Sequence, residues 1–323
     1  MSDRSIDLVG IGECLAEFSH IGEGNYQLGY SGDVLNALAA AGRLGLTTGL
    51  ITAMGDDPFQ MGLQEILEEE HIDLSHAPVL SGKPNGVYFV YVNESGGPSF
   101  HFLRKDSAAR AAFVCQPLTD LIAYALSARS LLFSSIPLAV MKEREKIFEL
   151  LAAIKGKTII AFDLNVRRVL WSDLQDLILM FSLLAPLVDV LFVTDEDDAI
   201  LFGVRSMKDA MDYYKQHGFN QIVIRRGGAS TLAFADGESF QVPVPRVASI
   251  VDTTGAGDVF NAGYIAAMLR GHLPYECAAM GNATAAVSVD TRGGRARGVT
   301  IDRVEKLYRP LVKWGTFHGP VRK

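Results

Sequence analysis

Apolar residues along this chain fall into two alternating patterns. Short runs dominated by Val, Ile, Leu and Phe occur at 8–11, 48–52, 130–134, 158–163, 190–194 and 221–224. Continuous apolar runs of that length, bounded by turn residues, predict strands buried on both faces. Between them lie helical patterns at 33–44, 59–70, 142–154, 173–184 and 206–217. This alternation predicts an α/β fold in three layers, a mostly parallel central sheet covered by helices on both sides. Two stretches break the rhythm. Residues 14–30 and 86–104 alternate around Gly-rich turns, with Val87, Phe89 and Tyr91 on one face and Tyr88 and Val90 on the other. They predict a small β-sheet projecting from the body, suited to a lid over a site or to a dimer surface. Without a repeat, low-complexity tract or linker, the chain reads as a single domain over 1–323, with lid strands inserted at about 13–31 and 86–104. The most apolar stretch, 177–193, is interrupted by Pro186 and Asp189. It reads as a helix end, a turn and a buried strand rather than a membrane span.

Composition narrows the function classes. At 323 residues, 49% hydrophobic and 21% charged, the chain is that of an ordinary soluble globular protein. A net charge of −7 gives no electrostatic footprint for nucleic acid or an anionic membrane. An anionic substrate would therefore need a local basic cluster. The three cysteines, Cys14, Cys115 and Cys277, are far apart and outside any CxxC spacing. Reduced thiols, a cytoplasmic setting and no structural zinc are expected. The first residues carry no apolar signal core.

The chemistry concentrates in Asp252-Thr253-Thr254-Gly255-Ala256-Gly257-Asp258-Val259-Phe260-Asn261-Ala262-Gly263-Tyr264. Gly255-Ala256-Gly257 keeps side chains away, so backbone N–H groups can surround an anion. A helix then runs through Phe260, Tyr264 and Met268 to a stop at Gly271. The start of such a helix favours a phosphate. A carboxylate there, Asp258, is unexpected on charge grounds unless it takes a proton, which suggests phosphoryl transfer with Asp258 accepting a substrate proton. The dipole alone also favours Asp in a first turn, so spacing by itself admits a plain helix start. No Lys-Ser/Thr follows the glycines, which excludes a Walker A loop, and the dinucleotide fingerprint of a dehydrogenase is absent.

Position for position, this run resembles the C-terminal signature of the ribokinase-like (PfkB) sugar kinases. Further segments are similar to the same family: Gly12-Glu13 after the first strand, Ser31-Gly32-Asp33-Val34-Leu35-Asn36 opening the first helix, then Arg43-Leu44-Gly45 and Gly55-Asp56-Asp57. The resemblance covers nearly the whole chain. It implies a ribokinase-like fold, ATP and Mg2+ as cofactors, Asp258 as base, and the backbone of Gly255, Ala256 and Gly257 as anion hole. It puts Gly32, Asp33 and Asn36 in the sugar pocket, although an Asn there also serves as a backbone cap. Asn165, Thr194, Arg226, Gly227 and Gly228 fall on the nucleotide side, as does Asn282, which a helix surface would explain equally. Asp197 is the implied outer-shell partner of magnesium. Asp252 matches a ligand position for K+, or it caps its own turn. Family lid strands imply a homodimer or higher homo-oligomer.

Within the family, Gly12-Glu13-Cys14-Leu15-Ala16-Glu17-Phe18, Phe102-Leu103-Arg104-Lys105-Asp106-Ser107-Ala108 and Asp163-Leu164-Asn165-Val166-Arg167 look most like 2-keto-3-deoxygluconate kinases. There, the residues matching Arg104 and Arg167 face the substrate and the active site. A sugar acid brings a carboxylate, which guanidinium groups bind with paired hydrogen bonds. Tyr88 either bonds a hydroxyl or packs in the lid. Five positions depart from the pattern. Phe102 lacks a tyrosine hydroxyl, Ser31 and Ser230 stand where glycines are usual, and Thr194 replaces an amide. Gly294, after Arg292-Gly293, replaces an Asp. Three readings stay open: a sugar-acid kinase, a fructokinase or other neutral-sugar kinase, and a non-catalytic sugar or nucleotide sensor on the same scaffold.

Overall fold

The computed structural model describes residues 4–92, 98–291, 293–295 and 297–318; Arg292 and part of the stretch 86–104 lie outside the described residues. In chain order the strands are β1 Ile6–Ile11, β2 Leu15–Gly22, β3 Asn25–Ser31, β4 Thr48–Ile51, β5 Met54–Gly55, β6 Ile72–His76, β7 Val79–Leu80, β8 Gly86–Val92, β9 Pro98–Leu103, β10 Ala128–Ser134, β11 Ile159–Asp163, β12 Val190–Thr194, β13 Ile222–Arg225, β14 Ser230–Ala235 and β15 Glu238–Pro243. Nine of them form one sheet in the order β15-β14-β13-β12-β11-β10-β1-β4-β6. All pairs from β13 to β6 are parallel, and β14 and β15 close one edge as an antiparallel hairpin.

Period-2 alternation sorts the strand residues onto two faces. Leu8, Val190 and Phe192 join one apolar cluster with Leu35, Leu38, Tyr264 and Ala279 of the helices Asp33–Arg43, Ala256–Leu269 and Pro274–Ser288. Val9, Ile11, Leu191 and Val193 join the other, with Leu121, Leu150, Phe181 and Tyr214 of the helices Leu118–Leu126, Glu145–Ile154, Leu174–Leu184 and Met207–Gln216. The sheet is thus buried on both sides, as its continuous apolar strands require. The stretch at 177–193 resolves into the end of one helix and β12, and among the described residues no helix is long and apolar enough to cross a membrane. One expected helix, 142–154, begins later, at Glu145, because Glu143 takes a positive φ of 55° that breaks the turn.

A second sheet, β3-β2-β8-β9, stands apart from the first. Its register pairs Glu17 with Tyr88 and Tyr88 with Phe102, so these three side chains share one row and one face. In the main sheet the register brings the C-terminal residues Ser134 and Asp163, then Thr194 and Arg225, side by side. Open α/β sheets bind ligands at that edge.

Candidate active site

Between the C-terminal edge of the main sheet and the inner face of the small one lies a cavity of about 570 Å3. Gly32, Asp33, Asn36, Tyr88, Phe102, Arg104, Asn165, Arg167, Thr194, Asp197 and the run Gly255–Asp258 all line it, from segments more than 200 residues apart in sequence (258 against 32).

At its floor, the helix Ala256–Leu269 starts from Gly255, whose φ of 74° is left-handed. A Cβ on Gly255 would also sit 2.6 Å from the Gly294 carbonyl, so only glycine fits. Among the described residues, no acceptor takes the N–H of Gly255 or Gly257. Ala256 differs: its N–H donates to the Thr253 carbonyl at 3.1 Å. The expectation that all three amides face an anion therefore narrows to Gly255 and Gly257. Asp252 braces this turn, accepting from the Thr254 N–H at 2.8 Å and the Gly293 N–H at 2.9 Å.

Asp258 opens toward the cavity. The Asn36 amide donates to it at 2.9 Å, while Asn36 accepts from the Ser31 hydroxyl at 3.2 Å. Burial, and then the charges of Asp33 and Asp163, push its carboxyl well above the usual carboxylate range, against Asn36 and Arg167. Asp33 accepts from the Ser134 hydroxyl at 2.5 Å and the Asn165 amide at 3.2 Å. Asn165 reaches it from a left-handed φ of 33°, an unfavourable conformation for a residue with a side chain.

The opposite wall is basic. Arg104, only 7% exposed, donates from Nη1 to Glu13 at 2.7 Å. Its Nε and Nη2 are buried and have no hydrogen-bond partner among the described residues. Its guanidinium lies 4.3 Å over the Phe102 ring, which stacks on Tyr88 at 5.2 Å. Phe102 thus supports the arginine instead of offering a hydroxyl. Tyr88 donates its only hydroxyl hydrogen to Glu17, leaving it able only to accept from a ligand. Arg167 is exposed at the mouth, and among the described residues its side chain makes one hydrogen bond, to the Val166 carbonyl at 3.3 Å.

Several expected positions fall elsewhere. The turn Arg226, Gly227, Gly228 at the end of β13 does not line the cavity. Nor does Asn282, which is 4% exposed; it accepts from the Thr231 hydroxyl at 2.7 Å and donates to the Pro243 carbonyl at 3.0 Å. Its amide ties the helix Pro274–Ser288 to the β14–β15 hairpin, which removes it from an exposed helix surface as well. Thr194 and Asp197 form a reciprocal helix cap, with the Thr194 hydroxyl accepting from the Asp197 N–H at 2.9 Å. Asp197 also accepts from the Val166 N–H at 2.6 Å, so both its oxygens are engaged. Glu13, Asp163, Glu196 and Arg225 also line the cavity; Glu13 and Asp163 stand in the family-like runs quoted above, but none of the four carries a role in the sequence reading. The pairing of Glu13 with Arg104 spans 91 residues.

Comparison with known proteins finds similarity over most of the chain. The model of the pfkB family carbohydrate kinases matches residues 5–300. The 2-dehydro-3-deoxygluconokinase of Escherichia coli (strain K12) is 30% identical over 303 residues, covering 88% of this chain and 94% of that one. A fructokinase of Klebsiella pneumoniae is 28% identical, covering 84% of this chain and 87% of its own length. Among solved structures, a putative ribokinase II in complex with ATP and Mg2+ from E. coli superposes with a TM-score of 0.79 at 21% identity, over 94% of this chain and 99% of that one.

Proposed function

The chain belongs to the pfkB family of carbohydrate kinases, and from that premise we propose that it transfers the γ-phosphoryl group of ATP to a hydroxyl of a sugar acid, converting 2-keto-3-deoxygluconate to its 6-phosphate. The observation that carries this reading is Arg104. Nε and Nη2 form the side of a guanidinium that binds a carboxylate with two parallel bonds. In Arg104 that side is buried and unfilled, on a wall of the cavity. Buried donors without partners cost about 1–3 kcal/mol each, and a sugar acid offers the group that satisfies them. A neutral sugar does not. The relative of that name at 30% identity supports the same substrate.

In this reading Asp258 is the base. It takes the proton of the attacking hydroxyl, whose oxygen bonds to the γ-phosphorus as the bond to the β-phosphate oxygen breaks and ADP leaves. A carboxyl held above its usual range suits proton transfer near neutral pH. The free N–H groups of Gly255 and Gly257 receive charge on the transferring oxygens; one such donor is worth about 3 kcal/mol in comparable sites. Asn165 and Arg167 stand on the side from which ATP enters. Magnesium would be carried with the ATP phosphates and would neutralise their charge. Among the described residues no cluster of three or more His, Cys, Asp or Glu could hold a bare ion. Asp197 and the exposed Glu196, which both line the cavity, would face a phosphate-carried metal from the protein side. The small sheet acts as a lid that excludes water. Tyr26, Leu28, Tyr91 and Leu103, exposed on its outer face, support pairing with a second copy.

The test is ATP-dependent phosphorylation of 2-keto-3-deoxygluconate, gluconate, fructose and ribose with magnesium, with and without potassium. Preference for 2-keto-3-deoxygluconate is expected. Preference for fructose or ribose would keep the kinase and remove the carboxylate role of Arg104.

A further inference from the structure

Behind the anion-binding turn sits Arg225, the last residue of β13, 7% exposed. Its Nη1 donates to the Gly257 carbonyl at 2.7 Å and to the Asn261 side-chain carbonyl at 2.8 Å. Its Nη2 donates to Asp163 at 2.7 Å, and the Asn261 amide closes the loop by donating to the other Asp163 oxygen at 2.6 Å. One guanidinium thus joins the end of β13, the end of β11 and the first turn of the helix Ala256–Leu269. Close approach is what allows it. A Cβ on Gly257 would lie 3.1 Å from Nη1, so the second glycine of the run gives the arginine room.

The charges around the floor give this clamp a second consequence. Asp258 is faced by Asp33 and Asn36 from the helix Asp33–Arg43, by Tyr88 from β8, by Asp163 at the end of β11 and by Arg167 just after it. Two of these neighbours are carboxylates. Arg225 pairs with one of them, Asp163, and does not touch Asp258 itself.

We infer that Arg225 is a positioning residue for phosphoryl transfer: it locks the turn that presents the Gly255 and Gly257 amides and offsets the charge of Asp163 behind Asp258. The inference rests on the reading of Asp258 as base. Its action should fall on the chemical step, because the substrate-facing groups Asp33 and Arg104 are anchored elsewhere, to Ser134 and to Glu13. A displacement of the reacting geometry by about 1 Å costs on the order of a hundredfold in rate.

Arg225→Gln and Arg225→Lys test it, with Asp258→Asn as control. For Arg225→Gln, kcat should fall roughly a hundredfold, while KM for the sugar stays within about threefold. The acid limb of the kcat profile should move to higher pH, because the unmasked Asp163 charge holds the proton on Asp258 more tightly. Arg225→Lys keeps the cation and should recover much of kcat and restore the limb. If both variants keep wild-type kcat, or both lose it equally with an unmoved acid limb and a lowered melting temperature, Arg225 is only scaffold and the inference falls. Turnover retained by Asp258→Asn would instead overturn the base.

Discussion

Two arginines in this molecule present the same side of the guanidinium to different fates. Arg205, beside the helix Asp195–Phe202, gives Nε and Nη2 to one carboxylate, that of Asp198, at 2.8 and 2.6 Å. Asp198 also accepts from the Tyr214 hydroxyl at 2.9 Å, and Phe202 and Tyr213 flank the guanidinium at 4.3 and 4.7 Å. Arg104 is packed as well, between Glu13 and Phe102, yet holds the matching pair of donors unpartnered. A filled fork inside a protein is part of the scaffold. A buried fork without a partner among the described residues, on the wall of a cavity, is what the proposed carboxylate role of Arg104 rests on.

The comparison sharpens first through the residue that should touch neither fork. Asp258→Asn removes the proposed base and leaves both arginines as they are. Phosphoryl transfer should drop by roughly 10^2 to 10^4, while ATP and sugar-acid binding, followed by calorimetry, persist. Binding lost together with turnover would break the division between a wall that binds and a floor that reacts. Next comes Arg205→Ala. Removing the half-buried Arg205 leaves the buried Asp198 with only the Tyr214 hydroxyl, so denaturant unfolding should show a loss of about 1–3 kcal/mol. The ratio of kcat/KM for sugar acid over neutral sugar should not change. A smaller effect is the pH dependence. As the proposed base, Asp258 would work only when ionised; its carboxyl lies above the usual range, so kcat should climb with rising pH through that raised value, by up to tenfold per unit below it. An acid limb in the ordinary carboxylate range would contradict the crowding by Asp33 and Asp163.

Much of this arrangement is legible in the residues, and the limits have physical causes. The two strand patterns separate in the sequence because a sheet buried on both sides needs continuous apolar runs, whereas a half-exposed one alternates. The run Gly255–Asp258 is readable because its parts are adjacent in the chain. Glu13–Arg104 and Arg225–Asp163 are not, being pairs 91 and 62 residues apart that only strand order brings together. The β14–β15 hairpin escaped the pattern because an antiparallel edge strand such as Glu238–Pro243 is half polar. Asn282 is buried rather than exposed because the hairpin supplies its partners, the Thr231 hydroxyl and the Pro243 carbonyl, which the sequence pattern does not show. Departures from the family pattern also resolve locally. Ser31 orients Asn36 toward Asp258, and Thr194 caps its helix through Asp197. Gly294 leaves space that any Cβ would take from Asn36, at 2.7 Å.

The most direct measurement is the substrate preference of Arg104→Ala. The wild type and the variant would be compared by kcat/KM on 2-keto-3-deoxygluconate and on fructose, with melting temperature recorded for both. If the unfilled fork receives the substrate carboxylate, the variant loses roughly 10- to 100-fold on the acid and changes little on the neutral sugar. An equal fall on both substrates, or none on the acid, would contradict that assignment.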